Sequence, residues 1–491
     1  MKEELPTDLH GLIIEKGILF LLVFTPLAFG AVQTWASAVM ELAAFLVFGA
    51  WLIKTDRNGE PAGSRLGDQW RRVMQVLFGA FVAVIIFQMV PLPAGVLRLL
   101  SPNTAAFFEQ FTVEGSADWR TLSIYPWATK QELLKLLSYA SVFVVIANHY
   151  RTRERVDALV RTIMVIAFSL VVFAVVQKMT WNGRLFWIYP LEAHSESSRN
   201  FSVWGPYINR NHFAGYLELC IPLGLGMVLY WAAKTRTSRH ATLLQTFTDV
   251  LSSRRFSSLG LWLVAAFVMI GALFMTLSRG GIIGFLGSAF FLFLLARMRR
   301  GLRNKINVLV FAGIALLLMV VVAGWDRIGD RFEQLSEEAS LKRTAVWIDS
   351  VGIVKDFPLF GTGLGTFQNS YPHYQSHSSM ILYDHAHNDY VELLTDTGPT
   401  GFILGTALAV AFLGMIFKAW MKRHRTYAKA LGAGGMASLA AVGAHSFTDF
   451  NLHIPANAML LAVVAGITYS VVVTMEDDKN ETEHSKFKVQ C

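Results

Sequence analysis

Repeated apolar runs of about 18 to 22 residues, each long enough to cross a bilayer as a helix, constrain this chain more than any other feature. About twelve can be placed, near residues 15–32, 34–53, 73–90, 131–147, 160–178, 213–232, 259–276, 281–297, 306–324, 401–420, 430–447 and 456–475. With 54% hydrophobic and 16% charged residues, a soluble globular fold is excluded, and the pattern is that of an all-α polytopic membrane protein. Cys220 lies inside an apolar run and Cys491 is the last residue, so no disulfide or thiolate metal site is expected. No cleavage-site pattern follows the first run, which reads as a retained span rather than a removed signal peptide.

A net charge of +8 invites a nucleic-acid reading, but the placement of the charge answers it better. Loops 54–72, 148–161, 233–258, 297–305 and 418–429 hold 24 Lys and Arg. The alternate loops, 25–34, 91–130, 178–212, 277–281, 325–390 and 448–456, hold 13, although they are about twice as long. The positive-inside rule puts the first set in the cytoplasm, and both termini with it. The basic balance is mainly a topology signal, and no nucleic-acid partner is expected.

Three outer loops carry most of the polar material. In 91–130, Trp119, Tyr125 and Trp127 suit a membrane-interface layer. The loop 178–212 ends in Asn209-Arg210-Asn211-His212 at the mouth of a span, and Glu218 sits about two turns inside it. An acid at that depth needs a partner, and a structural pair is favoured over direct catalysis. The tight turn Ser278-Arg279-Gly280-Gly281 places Arg279 near a helix N-terminus. Free N–H groups, the positive dipole end and a guanidinium together suit a phosphate; an arginine snorkelling to lipid headgroups is the equal alternative. The loop 325–390 is too long for a connector. It holds a helical stretch with Arg343 and Trp347, stopped by Pro358 and followed by Gly361-Thr362-Gly363-Leu364-Gly365, which fits a plain turn better than a phosphate loop.

His373, His377, His385 and His387 fall within 15 residues, with Asp384 and Asp389 nearby. A metal site is one hypothesis, but His385 and His387 are two apart and would not converge on a helix, and no HExxH pattern occurs. The other is general-base catalysis, in which neutral His387 takes a proton from a hydroxyl nucleophile and Asp389 or Asp384 orients the ring. With Arg279, Arg210 and Arg343 on the same side, a pyrophosphate leaving group is indicated, the guanidiniums standing where a metal otherwise would. A helix-capping role for His387 weighs equally on these residues alone.

The run His387-Asn388, nine residues, Gly398, two residues, Gly401 resembles the signature of the O-antigen ligase family: a histidine, an amide or serine, nine residues, then paired glycines. The Pro358-to-Gly365 segment, the Arg343-to-Trp347 helix, the Ser278-Arg279-Gly280 turn and the Asn209-to-His212 segment are also similar to that family, so the resemblance runs over about residues 205–401. It implies a GT-C-like integral-membrane glycosyltransferase. Such an enzyme takes a glycan from undecaprenyl pyrophosphate at the periplasmic face of the bacterial inner membrane. It passes the glycan to an acceptor hydroxyl, the lipid A core in the ligases, with inversion and without metal, nucleotide or other cofactor. The resemblance makes His387 the catalytic base and Arg279 and Arg343 diphosphate ligands, with Arg210 a further candidate. Asn388, Asp389, Gly398, Gly401, His385 and Glu218 take supporting roles.

Related membrane proteins polymerise repeat units, and the long loop 91–130 and the histidine run leave an O-antigen or exopolysaccharide polymerase as the alternative. Inorganic-carbon transport, proposed for related sequences, fits less well, because the polar groups cluster in outer loops and no internal repeat is visible. The expected organisation is a membrane region 1–324, a periplasmic loop 325–400 forming a helical cap with the catalytic motif, three further spans in 401–475 and a cytoplasmic tail 476–491.

Overall fold

A computed structural model describes residues 8–58, 65–111, 119–190, 203–234, 256–305, 336–376 and 382–475, with the single positions 307 and 313. The expected span 306–324, the start of the outer loop, His377 and the tail 476–491 therefore lie outside the described residues, apart from those two positions. Fifteen α-helices make up nearly all of what is described. They are α1 (Leu9–Leu27), α2 (Thr34–Asn58), α3 (Arg65–Met89), α4 (Ala94–Leu100), α5 (Pro102–Phe111), α6 (Pro126–His149), α7 (Arg153–Met179) and α8 (Arg210–Lys234). Then follow α9 (Phe256–Met275), α10 (Arg279–Met298), α11 (Ser336–Asp356), α12 (Phe367–Ser370), α13 (Asp389–Lys422), α14 (Thr426–His445) and α15 (Pro455–Tyr469). Two antiparallel pairs of two-residue strands, Leu92–Pro93 with Trp119–Arg120 and Arg184–Leu185 with Tyr189–Pro190, are the sheet structure among the described residues.

Among the described residues ten helices are long and apolar enough to cross a membrane. The protein is a polytopic helical membrane protein. Of the other two expected spans, 306–324 is not described, and 430–447 is met by α14, a helix too rich in Ala and Gly to stand among those ten. That composition has a physical use. Lipid tails offer no hydrophobic driving force between helices, so association depends on backbones packing closely through small residues. A Cβ on Gly434 would lie 2.6 Å from the Pro222 carbonyl oxygen, and one on Gly226 2.8 Å from that of Ala430. The glycines thus let α14 and α8 touch backbone to backbone. Gly281 and Gly284 let α10 close on α8 side chains: their added Cβ atoms would meet the Ala214 methyl at 2.7 Å and Glu218 Oε1 at 2.5 Å. Helix α8 is buried all round within the bundle.

Helix α13 is broken at Gly398, whose backbone is left-handed (φ 62°) and is followed by Pro399. A left-handed position next to a proline interrupts the helical ladder at little cost only if it is glycine. The break is filled from outside: an added Cβ at Gly398 would stand 2.5 Å from the Leu359 carbonyl oxygen, and one at Gly361 2.5 Å from the Gly398 nitrogen. Thr362 and Gly363 donate their N–H groups to the carbonyls of Thr395 and Asp396 (3.1 and 2.9 Å), and Gly365 donates to Asp396 Oδ2 (2.6 Å). Leu364 donates to Gln88 Oε1 at 3.2 Å, and Ile124 donates to the Thr362 carbonyl at 2.9 Å. The glycine-rich turn is therefore a clasp holding α13 to α3 and the loop before α6. Its N–H groups are spent on protein.

Candidate functional site

The site is assembled where the loop before α13 meets the connection between α14 and α15, residues 446–454. Asn388 caps α13, its Oδ1 accepting from the N–H groups of Tyr390 and Val391 at 3.0 and 3.2 Å. Asp389 donates its N–H to the Ser446 carbonyl (2.9 Å), which stitches the two segments together. Ala386 is fixed at both ends: its N–H goes to Glu392 Oε2 (3.0 Å), and its carbonyl accepts from Trp347 Nε1 on α11 (2.9 Å). His387, next in line, has a left-handed backbone (φ 51°). That conformation costs a non-glycine residue about 1–3 kcal/mol and persists only where its surroundings over-determine it. The bonds to Ala386, Asn388 and Asp389 supply that constraint.

Carboxylates and imidazoles are then exchanged between the segments. His387 Nδ1 lies 3.3 Å from Asp449 Oδ1, which also accepts the Phe450 N–H at 3.0 Å. In the other direction, His453 places Nδ1 3.0 Å from Asp389 Oδ1 and Nε2 3.3 Å from Glu392 Oε1. Glu392 Oε1 also takes His385 Nδ1 at 2.6 Å. Phe450 sits among three rings: His385 stacks on it (centroids 4.2 Å), and His387 and His212 meet it edge-on at 4.9 and 4.8 Å. Burial would lower the His453 imidazole, but the charge of Glu392 and the hydrogen bond to Asp389 raise it to about 10. Burial would raise Asp449. The His387 hydrogen bond and the electrostatic attraction of the His212, His387 and His445 imidazoles outweigh this and hold its carboxyl well below the usual range.

The arginine-bearing segments border the same connection. Arg343 Nη1 donates to the Thr448 carbonyl at 3.0 Å. A Cβ at Gly280, the residue after Arg279, would stand 2.3 Å from Thr448 Oγ1 and 2.8 Å from His445 Nε2. Ser278 caps α10 through Oγ, which accepts from Gly281 N–H at 3.2 Å, so Arg279 opens the first turn of that helix. Arg210 opens α8, two residues before His212. Deeper in the bundle, Glu218 Oε2 pairs with His445 Nδ1 at 2.7 Å, both side chains being buried.

Several expectations from the sequence change here. Neither Asp389 nor Asp384 contacts His387: Asp389 is engaged with His453, and Asp384 accepts from Gln368 Nε2 at 2.9 Å. The carboxylate on His387 is Asp449, which sequence reasoning passed over, as it did Glu392, His445, Phe450 and His453. A usable signal existed, because Asp449 and His453 lie four apart in a short outer loop that holds no Lys or Arg. Of the four-histidine run, His385 and His387 both reach the Phe450 ring. His377 is outside the described residues, and His373 packs against Tyr374. Among the described residues, the set able to hold a metal ion is His385, Glu392 and His453, whose donor atoms lie within 4.8 Å of one another. Hydrogen bonds already account for that contact. Gly401 is buried in α13 one turn after Thr397, whose side chain an added Cβ would meet at 2.4 Å.

Residues 264–406 match the family model described as O-antigen ligase. Comparison with curated proteins gives no match. The matched stretch holds Arg279, Arg343, His385, His387, Asn388, Asp389, Glu392, Gly398 and Gly401. Arg210, His212, Glu218, Asp449 and His453 lie outside it.

Proposed function

We propose, from the match of residues 264–406 to the family model described as O-antigen ligase, that the protein transfers a glycan from undecaprenyl pyrophosphate to the hydroxyl of an acceptor, the lipid A core. The reaction runs at the periplasmic face of the bacterial inner membrane, with both termini in the cytoplasm. His387 is the base. Its neutral imidazole takes the acceptor hydroxyl proton as the oxygen attacks the anomeric carbon. A glycosidic bond forms, the bond from that carbon to the pyrophosphate oxygen breaks, and undecaprenyl pyrophosphate leaves with inversion. Arg279 and Arg343, with Arg210, bind the diphosphate and stabilise the charge growing on it, so the transfer step needs no metal.

One observation carries this reading. A half-buried imidazole, with a side chain 27% exposed, shares the 446–454 connection with Arg343 and with the residue after Arg279. An imidazole on the same connection as arginine-bearing segments suits transfer from a pyrophosphate, which needs a base for the acceptor and positive charge for the leaving group. The test uses purified protein in detergent with EDTA and an undecaprenyl-pyrophosphate-linked O-antigen, in two tubes, one with lipid A core and one without. Product only with the core supports ligation. Longer glycans on the carrier without core would make the protein a polymerase, and no product in either tube would overturn glycan transfer.

A further inference from the structure

We propose that Asp449 is the positioning residue of this reaction, holding His387 by Nδ1 so that Nε2 is the nitrogen turned to the acceptor hydroxyl. This rests on the reading of His387 as the base. Three observations carry it. Asp449 is the carboxylate in hydrogen-bonding contact with His387, at 3.3 Å, a separation usual for catalytic pairs before substrate is bound. Its side chain is 1% exposed, and Oδ1 also holds the Phe450 N–H at 3.0 Å, so the acceptor atom is itself fixed. His387 has a left-handed backbone although it is not a glycine, which turns its side chain toward 446–454 and away from the acids of its own segment.

The chemistry follows from the tautomer. A carboxylate accepts but cannot donate, so the imidazole proton resides on Nδ1 and the lone pair on Nε2. When Nε2 takes the hydroxyl proton, the imidazolium forms against a buried negative charge rather than in isolation. His453 shows the contrasting arrangement, with both nitrogens committed to carboxylates and none left for a substrate. Asp449 lies 62 residues from His387 in sequence and outside the stretch that matches the family model.

The competing account is that Asp449 only braces its own loop. Transfer is measured with purified full-length protein, undecaprenyl-pyrophosphate-linked O-antigen and lipid A core, for the wild type, Asp449→Asn, His387→Ala and the double variant. Positioning predicts that Asp449→Asn lowers kcat by about 10²–10⁴-fold while the donor KM stays within about threefold. It also predicts no further loss when Asp449→Asn is added to His387→Ala, because the carboxylate acts only through the ring. Wild-type kcat in Asp449→Asn, or an equal drop in both backgrounds, would overturn it. Should Asp449→Asn fail to fold, Asp449→Glu decides: reduced kcat at unchanged KM supports the proposal, and wild-type kcat refutes it. A fully active His387→Ala would remove the base assignment and this inference together. An inert His387→Ala beside a full-rate Asp449→Asn would remove this inference alone.

Discussion

His387 and His453 stand on facing segments, each paired with a carboxylate of the other segment, yet they are built for different tasks. His453 has both nitrogens tied, to Asp389 at 3.0 Å and Glu392 at 3.3 Å, and is raised to about 10, so at neutral pH it is a fixed cation between two buried acids. His387 is tied by one nitrogen to one acid and holds a strained backbone. A histidine saturated with acceptors is a structural clamp. One with a nitrogen to spare can move a proton. The comparison teaches that the proximity of an imidazole to a carboxylate says little about function until both ring nitrogens are accounted for.

The comparison breaks most sharply on activity. Replacing His387 with alanine should leave an inserted, folded protein and lower transfer by about 10²–10⁴-fold, read as glycan product per folded enzyme; transfer near the wild-type rate would equate the two histidines as structural. His453→Ala should do the reverse first, costing about 3–5 kcal/mol of stability because Asp389 and Glu392 lose their shared cation while staying buried. Thermal unfolding in detergent measures this, and an unshifted midpoint would show that His453 is no clamp. The proposed diphosphate side of the site is sharpened by Arg279→Lys. A lysine cannot give the bidentate contact, so transfer should fall about tenfold or more, and full activity with lysine would place Arg279 away from the donor phosphates.

The smallest effect is a pH dependence of opposite sign at the two corners. His453 is raised from 6.5 to about 10 on folding, so its contribution is complete below pH 6.5 and is lost as pH rises toward 10. Asp449 is held below its ordinary 3.8, so its contribution is complete above that value and is lost as pH falls from it toward the lower folded value. The unfolding midpoint should therefore decline on both sides, and His453→Gln should flatten the alkaline side alone. An unchanged alkaline slope in His453→Gln would assign it to other groups.

Part of the site was legible in the chain because it is local. The position of Arg279 at the start of a helix depends on residues within a few positions of it and was read from them, whereas the cap on α13 falls on Asn388 and not on His387, the residue the sequence offered for it. The glycine-rich turn was recognisable as a turn but not as a clasp, because the N–H groups of residues 362–365 find acceptors more than 30 residues away. Asp384 and Asp389 were reasonable partners for His387 by sequence distance. The left-handed backbone at His387 and the bond from Asp389 to His453 make them the wrong ones.

By itself, the sequence determined that this chain crosses a membrane many times as helices, because runs of that length and apolarity have no other stable home. It also marked the histidine and the arginines to examine. Only the tertiary structure decided which acid meets which histidine. The 446–454 connection carries no local pattern that names a partner, and Ser446, Asp449 and His453 acquire theirs only when α14 is drawn against α8 and α13. Pairing of buried charges is a property of three-dimensional neighbours, and the partners of His387 and His453, Asp449 and Asp389, lie 62 and 64 residues away.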